Sequence, residues 1–350
     1  MKNPQIRKRK IIATLCIQLF ILGFFIQCKT NQTTMKHGNL VRQNQNTSSK
    51  MKFTIPSYLK KGDTIMIVAP AGFVADSTEI EPGIALAKSW GLEVIVGKNA
   101  FNKHNHFAGT DAERQSDLQF ALDNNNIKAI WCSRGGYGTV RIIDQIDFTS
   151  FENNPKWMVG FSDITTLHTT IHNLGIASIH ATMPGGIKKA SEEAKQSLYK
   201  VLFGYGYGFE IISNPLNKNG NAKGVLIGGN LSILNSMIGS FSEVNMNGKI
   251  LFIEDVGEDL YRIDRMMYTL KRTGAVHNLK GLIVGDFNYN VEKDTLFGGT
   301  HREIILNVAK DYEFPVLFDF PAGHISDNRA VLFGKEISIE VNDTISKIRY

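Results

Sequence analysis

Cysteine is scarce in this chain of 350 residues: there are three, Cys16, Cys28 and Cys132, and the first two fall within the N-terminal 28 positions. One thiol is left for the folded body, which excludes an intramolecular disulfide framework and any cysteine-rich metal site there. Long hydrophobic runs are lacking as well. The most apolar stretch, residues 11–26, is interrupted by Thr14 and Gln18 and is short of the ~20 residues that span a bilayer as a helix. Positive charge is concentrated in one place, since Lys2, Arg7, Lys8, Arg9 and Lys10 supply five of the formal net +6. The remainder is nearly neutral and carries no basic stripe with interleaved aromatics, so no nucleic-acid partner is expected. A zinc-protease signature is missing too: His168 and His172 stand four apart, but no glutamate follows His168 as H-E-x-x-H requires, and packed or solvated histidines are the expectation.

What the N-terminus does have is a basic head, a short apolar stretch and then Cys28. That order reads as a signal peptide over residues 1–28 and resembles a bacterial lipoprotein signal, in which the cysteine would carry lipid after cleavage; a retained N-terminal anchor is the alternative. Either way the chain is expected to be exported to the cell envelope, periplasmic or held on the membrane as a lipoprotein. Residues 29–52 are Asn, Gln, Thr, Ser and Lys with few apolar side chains. Such a segment buries too little to offset its ordering entropy and is read as a tether.

The body is long enough for two domains, because single cores stop growing near roughly 250 residues. Apolar runs at 64–69, 92–96, 129–132 and 157–159 alternate with helical patterns at 80–90, 111–122 and 164–173, the rhythm of an α/β domain with a mainly parallel sheet. The Gly-Tyr-Gly-Tyr-Gly segment at 204–208 and the polar stretch after it break this rhythm. The expected division is an N-terminal domain at 53–208, a linker at 209–223 and a smaller mixed α/β domain at 224–350. In the latter, strands are predicted at 250–253, 282–284, 316–320, 337–341 and 345–350, and helices at 261–272 and 302–311.

Chemistry has several candidate seats. Trp157-Met158-Val159-Gly160-Phe161-Ser162-Asp163 passes from a strand through a tight turn into a helix. That geometry lifts a serine hydroxyl above the sheet and leaves backbone N–H groups free for an oxyanion; taken alone, Ser162 is also an ordinary helix N-cap. Ser133-Arg134-Gly135-Gly136-Tyr137-Gly138-Thr139 again follows a buried strand. It lacks the Lys-Ser/Thr of a phosphate loop and the G-x-G-x-x-G spacing, so its glycines signal close approach of a reacting group or a tight structural turn rather than a nucleotide. Glu254 and Asp255 end an apolar strand, where alternation lets only one of the two face a given site; both being solvated is the bland alternative. His324 follows a predicted strand at 316–320, in a loop position where catalytic residues are common.

Together these segments resemble the LD-carboxypeptidase family of serine peptidases. The resemblance rests on an ordered set: Val68-Ala69-Pro70-Ala71-Gly72; Phe107-Ala108-Gly109-Thr110 with Arg114 and Asp117-Leu118; Arg134-Gly135-Gly136-Tyr137-Gly138; Gly160-Phe161-Ser162-Asp163; Gly228-Gly229-Asn230-Leu231; Ile253-Glu254-Asp255 with Arg262, Arg265 and Met266; and Gly323-His324. It implies Ser162 as nucleophile, His324 as general base and Glu254 as the acid that orients it, meeting at a domain cleft, with backbone N–H groups of Gly136 and Asp163 as oxyanion hole and neither metal nor cofactor. The implied substrate is a muropeptide losing its terminal D-alanine through an acyl-enzyme, and Arg134 is a candidate partner for the substrate carboxylate, with a structural salt bridge as its other reading. A relative's chemistry on microcin-type peptide-nucleotide antibiotics, and a non-catalytic wall-peptide-binding lipoprotein, are the competing functions. A homodimer is left open.

Overall fold

The computed structural model describes residues 53–290 and 296–350. The leader, the tether and Cys28 lie outside the described residues. Among those described, no helix is long and apolar enough to cross a membrane.

The first half alternates strand and helix: β1 Thr64–Val68, α1 Ser77–Ser89, β2 Glu93–Val96, α2 Asp111–Asp123, β3 Ile127–Cys132, α3 Thr149–Asn153, β4 Trp157–Gly160, α4 Thr165–Asn173, β5 Ser178–His180 and α5 Glu192–Phe203; all but α3, β5 and α5 stand where the hydrophobic pattern predicts them. Strands β5, β4, β3, β1 and β2 lie side by side in that order, all parallel. Both faces are covered. Ile65, Ile67, Ala129 and Trp131 pack with Ile80 of α1 and Leu198 of α5, while Met66, Val68, Ile130 and Cys132 point the other way onto Leu118 of α2 and Leu167 of α4. This double burial is why the strands read as continuous apolar runs. The strand order reverses between β3 and β1, and a crevice opens outside the carboxyl ends of strands at such a switch. Pro70 to Gly72, Arg134 to Gly138 and Ser162 stand at those ends.

The second half comprises β6 Gly208–Ile212, β7 Gly220–Asn230, α6 Leu231–Ser236, β8 Ile250–Glu258, α7 Leu260–Arg272, β9 Gly281–Tyr289, α8 His301–Ala309, β10 Val316–Leu317, β11 Val331–Phe333, β12 Glu336–Val341 and β13 Ile345–Arg349. Its sheet runs β10-β9-β8-β7-β12-β13-β6. The long strand β7 belongs to two regimes. Its first half pairs antiparallel with β12, and from Leu226 onward it pairs parallel with β8.

Three features depart from the sequence reading. Residues 209–223, expected as a linker, hold most of β6 and the start of β7. Their alternation is real, with Phe209 and Ile211 buried and Glu210 and Ile212 exposed, but a two-sided antiparallel edge strand needs only every second residue apolar, and the stretch reads as polar. A second departure is β11, which lies in the C-terminal half yet pairs antiparallel with β5 and completes the first sheet as its sixth strand. The strand expected at 316–320 is shorter than predicted, ending at Leu317.

Candidate active site

Ser162 follows β4 at the start of a short 3-10 turn, Ser162–Ile164, that leads into α4. Its φ is +64°, a conformation that costs a non-glycine residue of order 1–3 kcal/mol and persists only where the surroundings enforce it. The N-cap of this turn is Phe161 and that of α4 is Ile164, so Ser162 is not a helix N-cap. Its Oγ lies instead 3.2 Å from Nε2 of His324. Gly160 and Gly135 show why the corner must be so tight. A Cβ on Gly160 would meet Ile164 at 2.9 Å, and one on Gly135 would sit 2.9 Å from Ser162 Cβ and 3.0 Å from its Oγ. The glycine-rich loop therefore lies directly against the serine.

His324 arrives on the crossover from β10 to β11. Its Nδ1 is 2.8 Å from Glu254 Oε2, and the imidazole is 20% exposed while the carboxylate is 0% exposed. Burial lowers the imidazole's proton affinity, but the hydrogen bond to Glu254 and the charges of Glu254, Asp255 and Asp286 outweigh it and leave the His324 pKa above the ordinary histidine value. The expectation that only one acid of the Glu254-Asp255 pair would face the site holds. Asp255 turns away to accept from Asn230 Nδ2, Ser232 N and Val256 N. Both acids are buried, against the alternative that they are solvated, and desolvation together with the neighbouring Glu254 pushes Asp255 up to about 7.

A β-bulge places the histidine loop. Ile253 pairs with Val284 and Asp255 with Phe287, so Gly285 and Asp286 together stand opposite Glu254. The irregularity leaves the Asp286 N–H free of the ladder, and it donates instead to Ala322 O at 2.8 Å. A Cβ on Gly285 would lie 2.4 Å from that same carbonyl. Gly323, at φ +131°, packs between the Cβ atoms of Asp286 and Glu254, and its N–H donates to Asn328 Oδ1. Bulges that re-aim a side chain recur beside active sites. The sequence reading missed Asp286 and Asn328; the isolated Gly285 inside an apolar strand was the available signal.

The remaining candidates are placed as follows. Gly136, at φ +104°, is exposed beside the serine corner, and the Asp163 N–H is the first after Ser162. The Asp163 side chain is buried, and its Oδ2 accepts from Thr139 N and Oγ1 at 2.8 and 2.6 Å. Arg134 is 45% exposed, with Nη1 3.6 Å from Glu79 Oε1 and 3.1 Å from Phe73 O. His168 is wholly buried, Nδ1 on Ser178 Oγ and Nε2 on Gly160 O, and burial lowers it to about 4. His172 meets Lys249 Nζ through Nε2. The two rings thus serve different structural partners, the first bracing the backbone two residues before the serine.

A two-domain α/β protein with a Ser-His-Glu constellation where the sheets meet is the class this describes, and comparison with known proteins narrows it. Residues 65–181 match the LD-carboxypeptidase N-terminal domain and residues 223–339 the LD-carboxypeptidase C-terminal domain. The chain is 36% identical to the probable murein peptide carboxypeptidase of Bacillus subtilis, over 84% of this chain and 93% of that protein. Its fold matches the muramoyltetrapeptide carboxypeptidase of Oxalobacter formigenes with a TM-score of 0.74 at 26% identity, covering 81% of this chain and 97% of that one. It also matches the microcin C7 self immunity protein MccF with a TM-score of 0.75 at 20% identity, covering 85% and 98%, a likeness of fold alone. The chain belongs to the LD-carboxypeptidase family and is a carboxypeptidase of serine type.

Proposed function

We propose that this protein removes the terminal D-alanine from peptidoglycan-derived tetrapeptides, hydrolysing its bond to the L-centre of the preceding diamino acid with Ser162, His324 and Glu254 as catalytic triad. The observation that carries the reading is the strained Ser162 hydroxyl within 3.2 Å of His324 Nε2, with a buried carboxylate on the far ring nitrogen. The relatives' names supply the substrate class. Ser162 Oγ attacks the scissile carbonyl carbon while His324 Nε2 takes its proton, and Glu254 holds the Nδ1–H tautomer and stabilises the imidazolium. The N–H groups of Gly136 and Asp163 receive the developing oxyanion. Collapse expels D-alanine, which takes the proton from His324 and leaves an ester on Ser162; a water activated by the same imidazole releases the shortened peptide. Arg134, half exposed at the edge of the glycine loop, is our candidate for the substrate carboxylate.

The test is mass spectrometry of a muropeptide tetrapeptide incubated with residues 29–350, beside the Ser162→Ala variant. Loss of one alanine is expected with the parent, and turnover about ten-thousand-fold or more lower in the variant. Near-normal turnover by Ser162→Ala would remove the serine from its role. An intact tetrapeptide together with cleavage of an aminoacyl sulfamoyl nucleoside would move the substrate to the microcin type.

We also propose that residues 1–28 export the chain and that Cys28 is lipidated. Labelled palmitate should enter the full-length protein and not its Cys28→Ala variant; equal labelling of both, or of neither, would sink that assignment.

A further inference from the structure

Three of the sequence motifs not used by the triad, at 68–72, 107–118 and 134–138, converge on one place. A loop with Gly135, Gly136 and Gly138 has little stiffness of its own, yet an oxyanion donor must be held within about half an ångström of its productive position. The holding comes from outside the loop. Its start is tied to the end of β1, where Gly72 N–H donates to Gly135 O at 3.0 Å, and a Cβ at Gly72 would lie 2.9 Å from that oxygen. Its end is tied by Arg114, which is 1% exposed. Nη1 of this guanidinium donates to Gly138 O at 2.8 Å and also to Pro70 O, so one group clamps the β1 and β3 loops together. Arg114 is itself fixed on the first turn of α2, where Thr110 and Glu113 form a capping box and Asp111 pairs with Nη2. One residue beyond Gly138, Thr139 donates twice to the Asp163 carboxylate. Only Gly136 and Tyr137, between these anchors, are exposed.

We propose that Arg114 and the Asp163 side chain are positioning residues that hold the glycine-rich loop against Ser162, so that the Gly136 and Asp163 N–H groups form one rigid oxyanion site; this rests on the serine reading above. Asp163 links the two donors mechanically. Its backbone supplies one N–H, and its carboxylate, through Thr139, pulls in the loop that supplies the other. Neither Arg114 nor Thr139 touches the reacting atoms, so their effect falls on the transition state, where the oxyanion exists, and not on ground-state binding.

The experiment compares the parent, Thr139→Val, Arg114→Lys and Ser162→Ala. It reads kcat and KM on the tetrapeptide, the rate at which a fluorophosphonate labels Ser162, and the melting temperature. Thr139→Val keeps shape and backbone N–H but loses the hydroxyl bond; Arg114→Lys keeps the charge but loses the planar guanidinium that holds both carbonyls through Nη1 and Asp111 through Nη2. Each should lower kcat by about 10- to 100-fold with KM within about twofold, since ångström-scale misplacement of a donor costs roughly that much. Labelling should slow in parallel, because the phosphoryl oxygen needs the same donors. If Arg114→Lys fails to fold, Thr139→Val decides. A parent that is labelled, with variants labelled and turning over at the parent rate, overturns this inference alone, as does a rise in KM with kcat unchanged. A parent neither labelled nor active overturns the proposed function and the inference with it.

Discussion

The imidazole of His324 is surrounded by more negative charge than a triad requires. Glu254 bonds it directly, and Asp255 and Asp286 add their charges from the same two strands. A general base must be neutral to accept the serine proton, so activity is lost as pH falls through the histidine pKa. Because that pKa is raised, the acidic limb of kcat/KM should lie above the ordinary histidine value near 6.5. Asp255 titrates near 7, so its charge changes within the same window and should broaden the limb. Replacing Glu254 by Gln removes both the bond to the charged form and the largest favourable charge. The limb should then move to lower pH while kcat falls by about ten-thousand-fold, as when a triad acid loses control of the tautomer. A pH–rate profile of the two proteins checks this, and an unshifted limb in Glu254→Gln would show that Glu254 does not set the base. At this scale Ser162, Glu254 and His324 each stood out only as a candidate at or after an apolar run: read locally, Ser162 was equally a helix cap, Glu254 equally a solvated strand end, and His324 one histidine among nine. Their partnership was not legible, since nothing local joins positions 162, 254 and 324; it came from the resemblance. Asp286 and Asn328 escaped because they act through a backbone N–H and a side-chain amide, which leave no pattern of residue types.

Among the elements, β7 does the most to bring the two halves together. Gly228 and Gly229 adopt φ of +139° and +140°, open to glycine alone. A Cβ at Gly228 would fall 1.8 Å from Phe252 O, and one at Gly229 would fall 2.5 Å from Thr165 Oγ1. That threonine, three residues past the serine, accepts from the Asn230 N–H at 3.0 Å. The glycine pair thus lets a strand of the second sheet press onto the helix that carries the nucleophile. Gly228→Ala meets backbone that has nowhere to move, combining backbone strain with a buried clash. It should destabilise by about 4 kcal/mol or more, measured by denaturant unfolding; a loss under about 1 kcal/mol would mean that β7 can shift without cost. Helices α1, α2, α4, α7 and α8 and strands β1 to β4, β8 and β9 were legible because burial on one stripe or on both faces leaves a strong hydrophobic pattern; α3, α5 and α6 were not read. Strands β5 and β11, three residues each, are shorter than any periodicity can register, and β6 and the first half of β7 hid behind polar residues on their open face.

For the molecule as a whole, the two sheets share their chain. After β10 in the second sheet the backbone carries His324 across, lays β11 beside β5 in the first sheet, and returns to the second as β12. Val331 and Phe333 of that strand pack with Phe252 and Ile283 of the second sheet, while Leu332 packs into the core of the first. The described residues accordingly form one compact unit, although the family comparison divides them into two domains. Separate domains commonly unfold in separate steps. Here the first sheet is incomplete without β11 and the core of the second includes its Val331 and Phe333, so its loss would free the histidine loop as well as open an edge beside β5. Thermal unfolding of residues 53–350 should therefore be a single transition, with calorimetric and van't Hoff enthalpies in agreement and activity lost together with structure. Two resolved transitions would mean that β11 is a detachable strap. In that case activity would vanish with the first of them, since His324 leaves Ser162 as soon as the crossover is released.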